Sequence, residues 1–342
     1  MSDTVKIYDE LIQRLLENEN VYICGPDGSY PEHLRVYAHG GRLCLLPIDK
    51  SSFPQNLELP KDTYIKHLYP DVRHRLEEEE IITKSSNKTA AQIEEGKRYI
   101  WCRDKNRWSE HFIKEMDTYL EMAKNRFSAN AERSVQTVIC SNHRDFSKHN
   151  CVVFDFEHCI DGDLFYRMSK ESDTSLEAPK TPNFDMVSFE IIDGSPRATI
   201  IELKCTKDAC EDSESGLTVH ARDMSIACRY SNCPKNNEHK IHLLNRLKMM
   251  LEYNLLSNVP VDIDALLANP APLTVRSGFL FVPKEGLCIK KKRKDQKTVT
   301  ELCQELIPKD LLDNFYYQFS ESAEDVDLSK MLSWDEFSKK SE

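Results

Sequence analysis

The chain has 342 residues, 40% hydrophobic and 30% charged, enough apolar material for one large or two modest cored domains. Its formal charge of −11 excludes indiscriminate affinity for polyanions, so any nucleic-acid contact has to be local. The longest apolar runs are only a few residues (Leu43-Cys44-Leu45-Leu46), the N-terminus is polar and acidic, and the twelve cysteines lack small-domain spacing, which predicts a reduced protein of the nucleus or cytoplasm with no membrane partner.

Taken in chain order, residues 5 to 17 read as a helix from Val5, Tyr8, Leu11 and Leu15. Val21-Tyr22-Ile23-Cys24 and Leu34-Arg35-Val36-Tyr37 read as strands, with a turn at His39-Gly40-Gly41-Arg42. Residues 76 to 97 are charged and polar, a linker or exposed helix, and a helix over 109 to 127 presents Phe112, Met116, Leu120, Ala123 and Phe127. Two further helices are expected at 217 to 230, with Leu217, Ala221, Met224 and Cys228 on one face, and at 238 to 256, with Ile241, Leu244, Leu247, Leu251 and Leu255 forming the core stripe. His220 and Asp223 sit three apart on the first of these, a spacing more usual for a partly buried histidine beside a carboxylate than for catalysis.

Chemistry concentrates on residues 183 to 207. Residues 184 to 192 and 197 to 204 are rich in β-branched and aromatic side chains, and Asp193-Gly194-Ser195-Pro196 between them is a turn cluster, so the segment reads as a hairpin. A two-residue Asp-Gly loop pairs Asp185 with Glu202, and a four-residue loop pairs Asp185 with Lys204. The longer loop is preferred because it keeps Pro196, which has no N–H, out of the ladder. Either register brings Asp185, Glu202 and Lys204 within cross-strand reach, with Glu202 and Lys204 on one accessible face and Leu203 on the other.

The pattern Asn183-Phe184-Asp185, then Glu202-Leu203-Lys204-Cys205-Thr206-Lys207, resembles the PD-(D/E)xK nuclease superfamily. Within it the chain is most similar to the DXO family of RNA 5′-end decapping enzymes and 5′-to-3′ exoribonucleases. Phe154-Asp155-Phe156-Glu157 looks like that family's aromatic-x-Phe-Glu metal motif, and Gly25-Pro26, Tyr30-Pro31 and Leu34-Arg35-Val36-Tyr37 are similar to its opening segment. The resemblance implies an α/β fold, a mixed central sheet flanked by helices, with the N-terminal strands joined to the nuclease core in one compact domain over 1–318; composition sets off an acidic tail over 319–342. The resemblance also implies Mg²⁺ or Mn²⁺ held by Glu157, Asp185, Glu202 and the carbonyl of Leu203, catalysis by Asp185, Glu202 and Lys204, and hydrolysis at RNA 5′ ends in RNA quality control. Such a hard-oxygen donor set suits these ions without reference to any family.

The pattern also departs from the family. Asn183 stands where the family carries a second metal-site glutamate, Val153 where it has a glycine, and Tyr253 where it has a glutamine. The alternative is therefore a nuclease-fold module, catalytically weak or inactive, that binds RNA or a protein partner. Glu132 is a rival third carboxylate, although no motif surrounds it.

Two other constellations compete for notice. Lys291, Lys292, Arg293 and Lys294 form a basic run readable as an RNA-phosphate contact, a solvated loop or an import signal. Cys205, Cys210, Cys228 and Cys233 have four-thiolate spacing, but Cys228 falls on an apolar helix face, which favours buried packing thiols. The C-terminal segment, acidic over 321 to 327, reads as a tail ending in an amphipathic turn with Trp334 and Phe337.

Overall fold

The computed structural model describes residues 3–26, 30–53, 82–84, 100–102, 112–127, 131–171, 181–285, 287–290 and 296–341. The basic run Lys291, Lys292, Arg293 and Lys294 lies outside the described residues, as does nearly all of 76–97. Contacts divide the chain into two compact units, residues 1–137 and 138–342.

In the first unit, helix α1 (Asp3–Leu16) buries Tyr8, Leu11 and Leu15. The Tyr8 hydroxyl donates to the Pro47 carbonyl at 2.7 Å. Strands β1 (Val21–Cys24), β2 (His33–Ala38) and β3 (Gly41–Pro47) make a three-stranded antiparallel sheet. The turn between β2 and β3 runs through His39 and Gly40, both at positive φ. Gly40 is further constrained, since a Cβ there would lie 2.3 Å from Arg133 Cβ. Strands β4 (Ile82–Lys84) and β5 (Ile100–Cys102) pair antiparallel. Helix α2 (Met116–Phe127) buries Met116, Leu120 and Ala123 as their spacing predicts, and α3 (Ala131–Asn142) contains the division between the units at residue 137.

The second unit is an α/β body with a mixed five-stranded sheet flanked by helices. After α4 (Phe146–His149) come β6 (Cys151–Cys159), α5 (Gly162–Glu171), β7 (Asn183–Ile192) and β8 (Ser195–Thr206). Helices α6 (Leu217–Asn232) and α7 (Glu238–Glu252) lead to β9 (Thr274–Glu285) and β10 (Phe315–Phe319). The sheet order is β10-β9-β8-β7-β6, with β6, β7 and β8 antiparallel and β9 and β10 added in parallel. Packing of α6 on β9 and α7 on β6 goes with central strands buried along nearly their whole length; Ala198 through Cys205 are all buried.

Two expectations are corrected here. The hairpin has the two-residue loop, pairing Ile192 with Ser195 and Ile191 with Pro196. Asp193 at φ 51° and Gly194 at φ 75° supply the two positive angles that a tight twisted turn requires. Pro196 is tolerated because pairs alternate along the ladder, which puts it at a non-hydrogen-bonded position, and because β9 begins to pair only at Arg197. The second correction concerns α7. Ile241 is 38% exposed, and the buried residues include Leu243, Leu244, Leu247 and Met250 together with His239, Lys240 and Arg246. The inward face is rotated because polar side chains, not only leucines, are drawn into it.

One ion pair ties four strands together. Arg276 on β9 donates through Nε to Thr199 Oγ1 on β8 at 2.8 Å, pairs with buried Glu190 on β7, and lies 4.1 Å from the ring centre of Tyr316 on β10. Burial raises the Glu190 carboxyl above its ordinary value, against the opposing pull of Arg276 and Arg197. The folded state therefore binds this proton more tightly than the unfolded state. Its contribution to stability is present at low pH and is lost as pH rises from the unfolded carboxyl value, about 4.3, through the raised folded one. Glu190→Gln should remove that dependence. Tm measured over pH 4 to 7.5 should fall for the parent relative to the variant as pH rises; parallel curves would refute the assignment.

The C-terminal residues continue the second unit. Ser333 and Glu336 form a capping box for α8 (Trp334–Ser338), Phe337 is buried, and Tyr317 contacts Trp334 and Phe337 at ring-centre distances of 5.0 and 5.4 Å. No helix among the described residues is long and apolar enough to cross a membrane.

Candidate functional site

The three antiparallel strands carry the candidate carboxylates in one row. Phe156 pairs with Met186 and His158 with Phe184, which places Glu157 opposite Asp185. Met186 pairs with Ile201, and the same register carried one step further places Asp185 opposite Glu202. There the Asp185 side chain takes over a ladder position, with Oδ2 accepting from the Leu203 N–H at 2.7 Å. The Leu203 amide N–H thus holds Asp185 against β8.

Glu202 and Lys204 share a face as strand alternation requires, but that face is not accessible. They are 3% and 2% exposed. The expectation of an open face is corrected by the two-sided packing of β8. Lys204 Nζ donates to Glu202 Oε1 at 2.8 Å and to the Ser215 carbonyl at 3.0 Å, and His220 Nε2 of α6 lies 3.0 Å from the same Glu202 oxygen. Burial alone would raise the Glu202 carboxyl; Lys204 and His220 together outweigh it and hold the group below its ordinary value. Among the described residues, neither Glu202 Oε2 nor His220 Nδ1, both buried, has a hydrogen-bond partner. A buried carboxylate oxygen without a donor fits a cation-ligating role, and with Asp185 and Glu157 it makes a hard, oxygen-rich set suited to Mg²⁺ or Mn²⁺.

Glu157 is at the solvent-facing end of the row. Its backbone has φ 54°, a costly conformation for a non-glycine residue inside a strand, and its Oε2 accepts from exposed Asn183 Nδ2 at 2.9 Å. Asp155 spans this kink, with Oδ1 accepting from Phe156 N–H at 3.1 Å and Oδ2 bonding His158 Nδ1 at 2.8 Å. From His158 a buried polar chain continues to His239 Nε2 at 3.4 Å and from His239 Nδ1 to Ser231 Oγ at 2.6 Å. Arg246 Nε stands 3.9 Å from Asp155 Oδ2. Burial pushes His239 well down and His242 down to about 4, so both are neutral near pH 7.

The carboxylates are aligned but not converged. Among the described residues the one triple of potential metal ligands with donor atoms all within 4.8 Å is His143, His149 and Asp327; Glu157, Asp185 and Glu202 do not form such a group. Tyr253 caps the C-terminal end of α7, and Glu132 lies in the first turn of α3. The four cysteines are free thiols, Cys205 and Cys210 buried and Cys228 and Cys233 partly so, and burial raises the Cys228 thiol to about 12.

Sequence reasoning missed the attachment of His220 to Glu202, having paired that histidine with Asp223, and it missed the chain from Asp155 to Ser231. Only the His158-to-Asp155 spacing of three offered a signal. Comparisons with protein-family models, curated proteins and solved structures find no match for this chain.

Proposed function

We propose that the protein is a metal-dependent RNA 5′-end hydrolase of the PD-(D/E)xK nuclease type, similar to the DXO family, acting in decapping, in 5′-to-3′ trimming, or in both. The observation that carries this reading is the row Glu157, Asp185, Glu202 across three adjacent strands, ending in a buried Glu202 oxygen that no donor among the described residues reaches and backed by Lys204. Glu157, Asp185 and Glu202 would hold Mg²⁺ or Mn²⁺. A bound ion of this kind polarises a phosphoryl oxygen and acidifies its water. Lys204, fixed between Glu202 and the Ser215 carbonyl, supplies preorganised positive charge toward the attacked phosphate. His220 anchors Glu202 from α6 and keeps its carboxylate oriented.

The test is incubation of the full chain with RNAs bearing triphosphate, incomplete-cap, NAD-cap or monophosphate 5′ ends, and with DNA, under Mg²⁺, Mn²⁺ or chelator. Metal-dependent release of 5′ product is expected from at least one RNA. Absence of product from all of them refutes the reading. Asp185→Asn retains an acceptor for the Leu203 N–H and should fold, yet lose both turnover and calorimetric Mn²⁺ binding. Unchanged Mn²⁺ affinity would place the ion elsewhere.

A second reading rests on Asn183. An amide donor there occupies a Glu157 oxygen, which favours a module that binds RNA or a protein partner without turnover. RNA binding by fluorescence anisotropy with no cleavage under any metal would select it. The RNA contact proposed for Lys291, Lys292, Arg293 and Lys294 belongs to both readings.

A further inference from the structure

Away from the carboxylate row, the second unit brings together two imidazoles and a carboxylate from three separate stretches. His143 lies in the turn after α3, His149 is the last residue of α4, and Asp327 is the N-cap of a short 3-10 turn, Leu328–Lys330. We propose that His143, His149 and Asp327 bind one divalent transition ion of the zinc type, which fastens the C-terminal segment to the start of the sheet body.

Geometry supports this on several counts. One donor atom from each residue lies within 4.8 Å of the other two. His143 Nδ1 bonds the Ile139 carbonyl at 2.8 Å and therefore carries the proton. Its Nε2 faces the Leu328 N–H at 3.4 Å and therefore presents a lone pair, in a contact near the limit of a hydrogen bond. A neutral imidazole whose far nitrogen donates to a backbone carbonyl is the usual arrangement of a ligating histidine.

Two of the three ligands are reachable from solvent. His143 is fully buried, whereas His149 and Asp327 are partly exposed. Tetrahedral zinc with bonds of about 2.0 to 2.1 Å needs donors roughly 3.4 Å apart. His149 stacks on His143 with ring centres 4.5 Å apart, and a side-chain rotation at the end of α4 provides the closure. Asp327 Oδ1 stays with Ser329, while Oδ2 pairs with Lys330, whose side chain is 76% exposed. Releasing so exposed an ion pair costs little.

The donor set decides the class of ion. Two imidazoles and one carboxylate favour zinc, cobalt or a related ion over Mg²⁺ or Ca²⁺, which take oxygen ligands. Three protein ligands leave a fourth position for water. Because the ligands are separated by nearly the length of the unit, bound metal favours the folded chain.

The probe is Co²⁺, titrated into the full chain and followed by its visible d–d absorption, with Tm measured in Zn²⁺ as a second readout. One equivalent should bind with the intense visible bands of a tetrahedral, imidazole-ligated site, distinct from the weak absorption of any Co²⁺ held by the carboxylate row, and Zn²⁺ should raise Tm. His149→Ala and Asp327→Asn each change a partly exposed side chain and leave the His143 contacts in place; each should weaken Co²⁺ binding by at least about 10- to 100-fold and abolish the Tm response. Asp185→Asn should leave the tetrahedral bands and the Tm response in place, which separates this site from the carboxylate row. The proposal is overturned if the parent binds no Co²⁺, if both ligand variants bind it as the parent does, or if binding is lost in Asp185→Asn alone.

Discussion

Replacing Lys204 by methionine should lower turnover on a cleavable RNA by about 10²- to 10³-fold, the loss expected when a preorganised charge aimed at developing negative charge is removed. The side-chain stem is kept and only the ammonium goes. Burial complicates the experiment, because Lys204 compensates Glu202 inside the protein and donates to the Ser215 carbonyl. Removing one partner of a buried pair costs about 3 to 5 kcal/mol. Lost activity in the single variant therefore has two sources, chemistry and folding.

The double variant Glu202→Gln/Lys204→Met measures the folding part by itself, since Glu202 is also a proposed metal ligand and its loss abolishes activity regardless. With both charges gone no buried carboxylate is left uncompensated, so Tm should recover most of what the single variant loses, while activity stays absent. Assays run well below each variant's Tm, with folding checked by circular dichroism, complete the comparison. Turnover within about threefold of the parent in a folded Lys204→Met protein would remove this lysine from the mechanism.

How much of this was legible in the sequence follows from the range of each interaction. The hairpin and the shared face of Glu202 and Lys204 are local, fixed by alternation over a few residues and by Asp193-Gly194. The loop length was misjudged because the missing N–H of Pro196 was weighed without the alternation of paired and unpaired positions, or the late start of β9. Burial of Glu202 and Lys204 is not local; it follows from α6 and from the Ser215 loop closing over β8. Nor could spacing reveal that His158 meets His239, which is 81 residues away. Ile241 fits the apolar stripe by periodicity and faces water instead, because Lys240, Arg246 and His239 turn inward on the same helix.

That inward polar chain gives the second large expected effect. Asp155 is 1% exposed and serves Phe156 N–H, His158 Nδ1 and Arg246 at once. Asp155→Ala would leave a buried imidazole N–H without its acceptor and a nearly buried guanidinium without its nearby carboxylate, a loss of about 3 to 5 kcal/mol. For a unit of this size each kcal/mol moves Tm by about 2 to 4 °C, so a fall of about 10 °C is expected. The same carboxylate spans the kink at Glu157, whose φ of 54° has to be held by its surroundings. Glycine at 157 adopts that angle without strain, so Glu157→Gly should recover part of the Asp155→Ala loss, a coupling that unrelated sites do not show. Thermal melts of the two single variants and the double variant measure it. Strict additivity, or a fall of less than 2 °C for Asp155→Ala, would mean that Asp155 neither holds His158 and Arg246 in place nor keeps the strand in the shape that presents Glu157 beside Asp185.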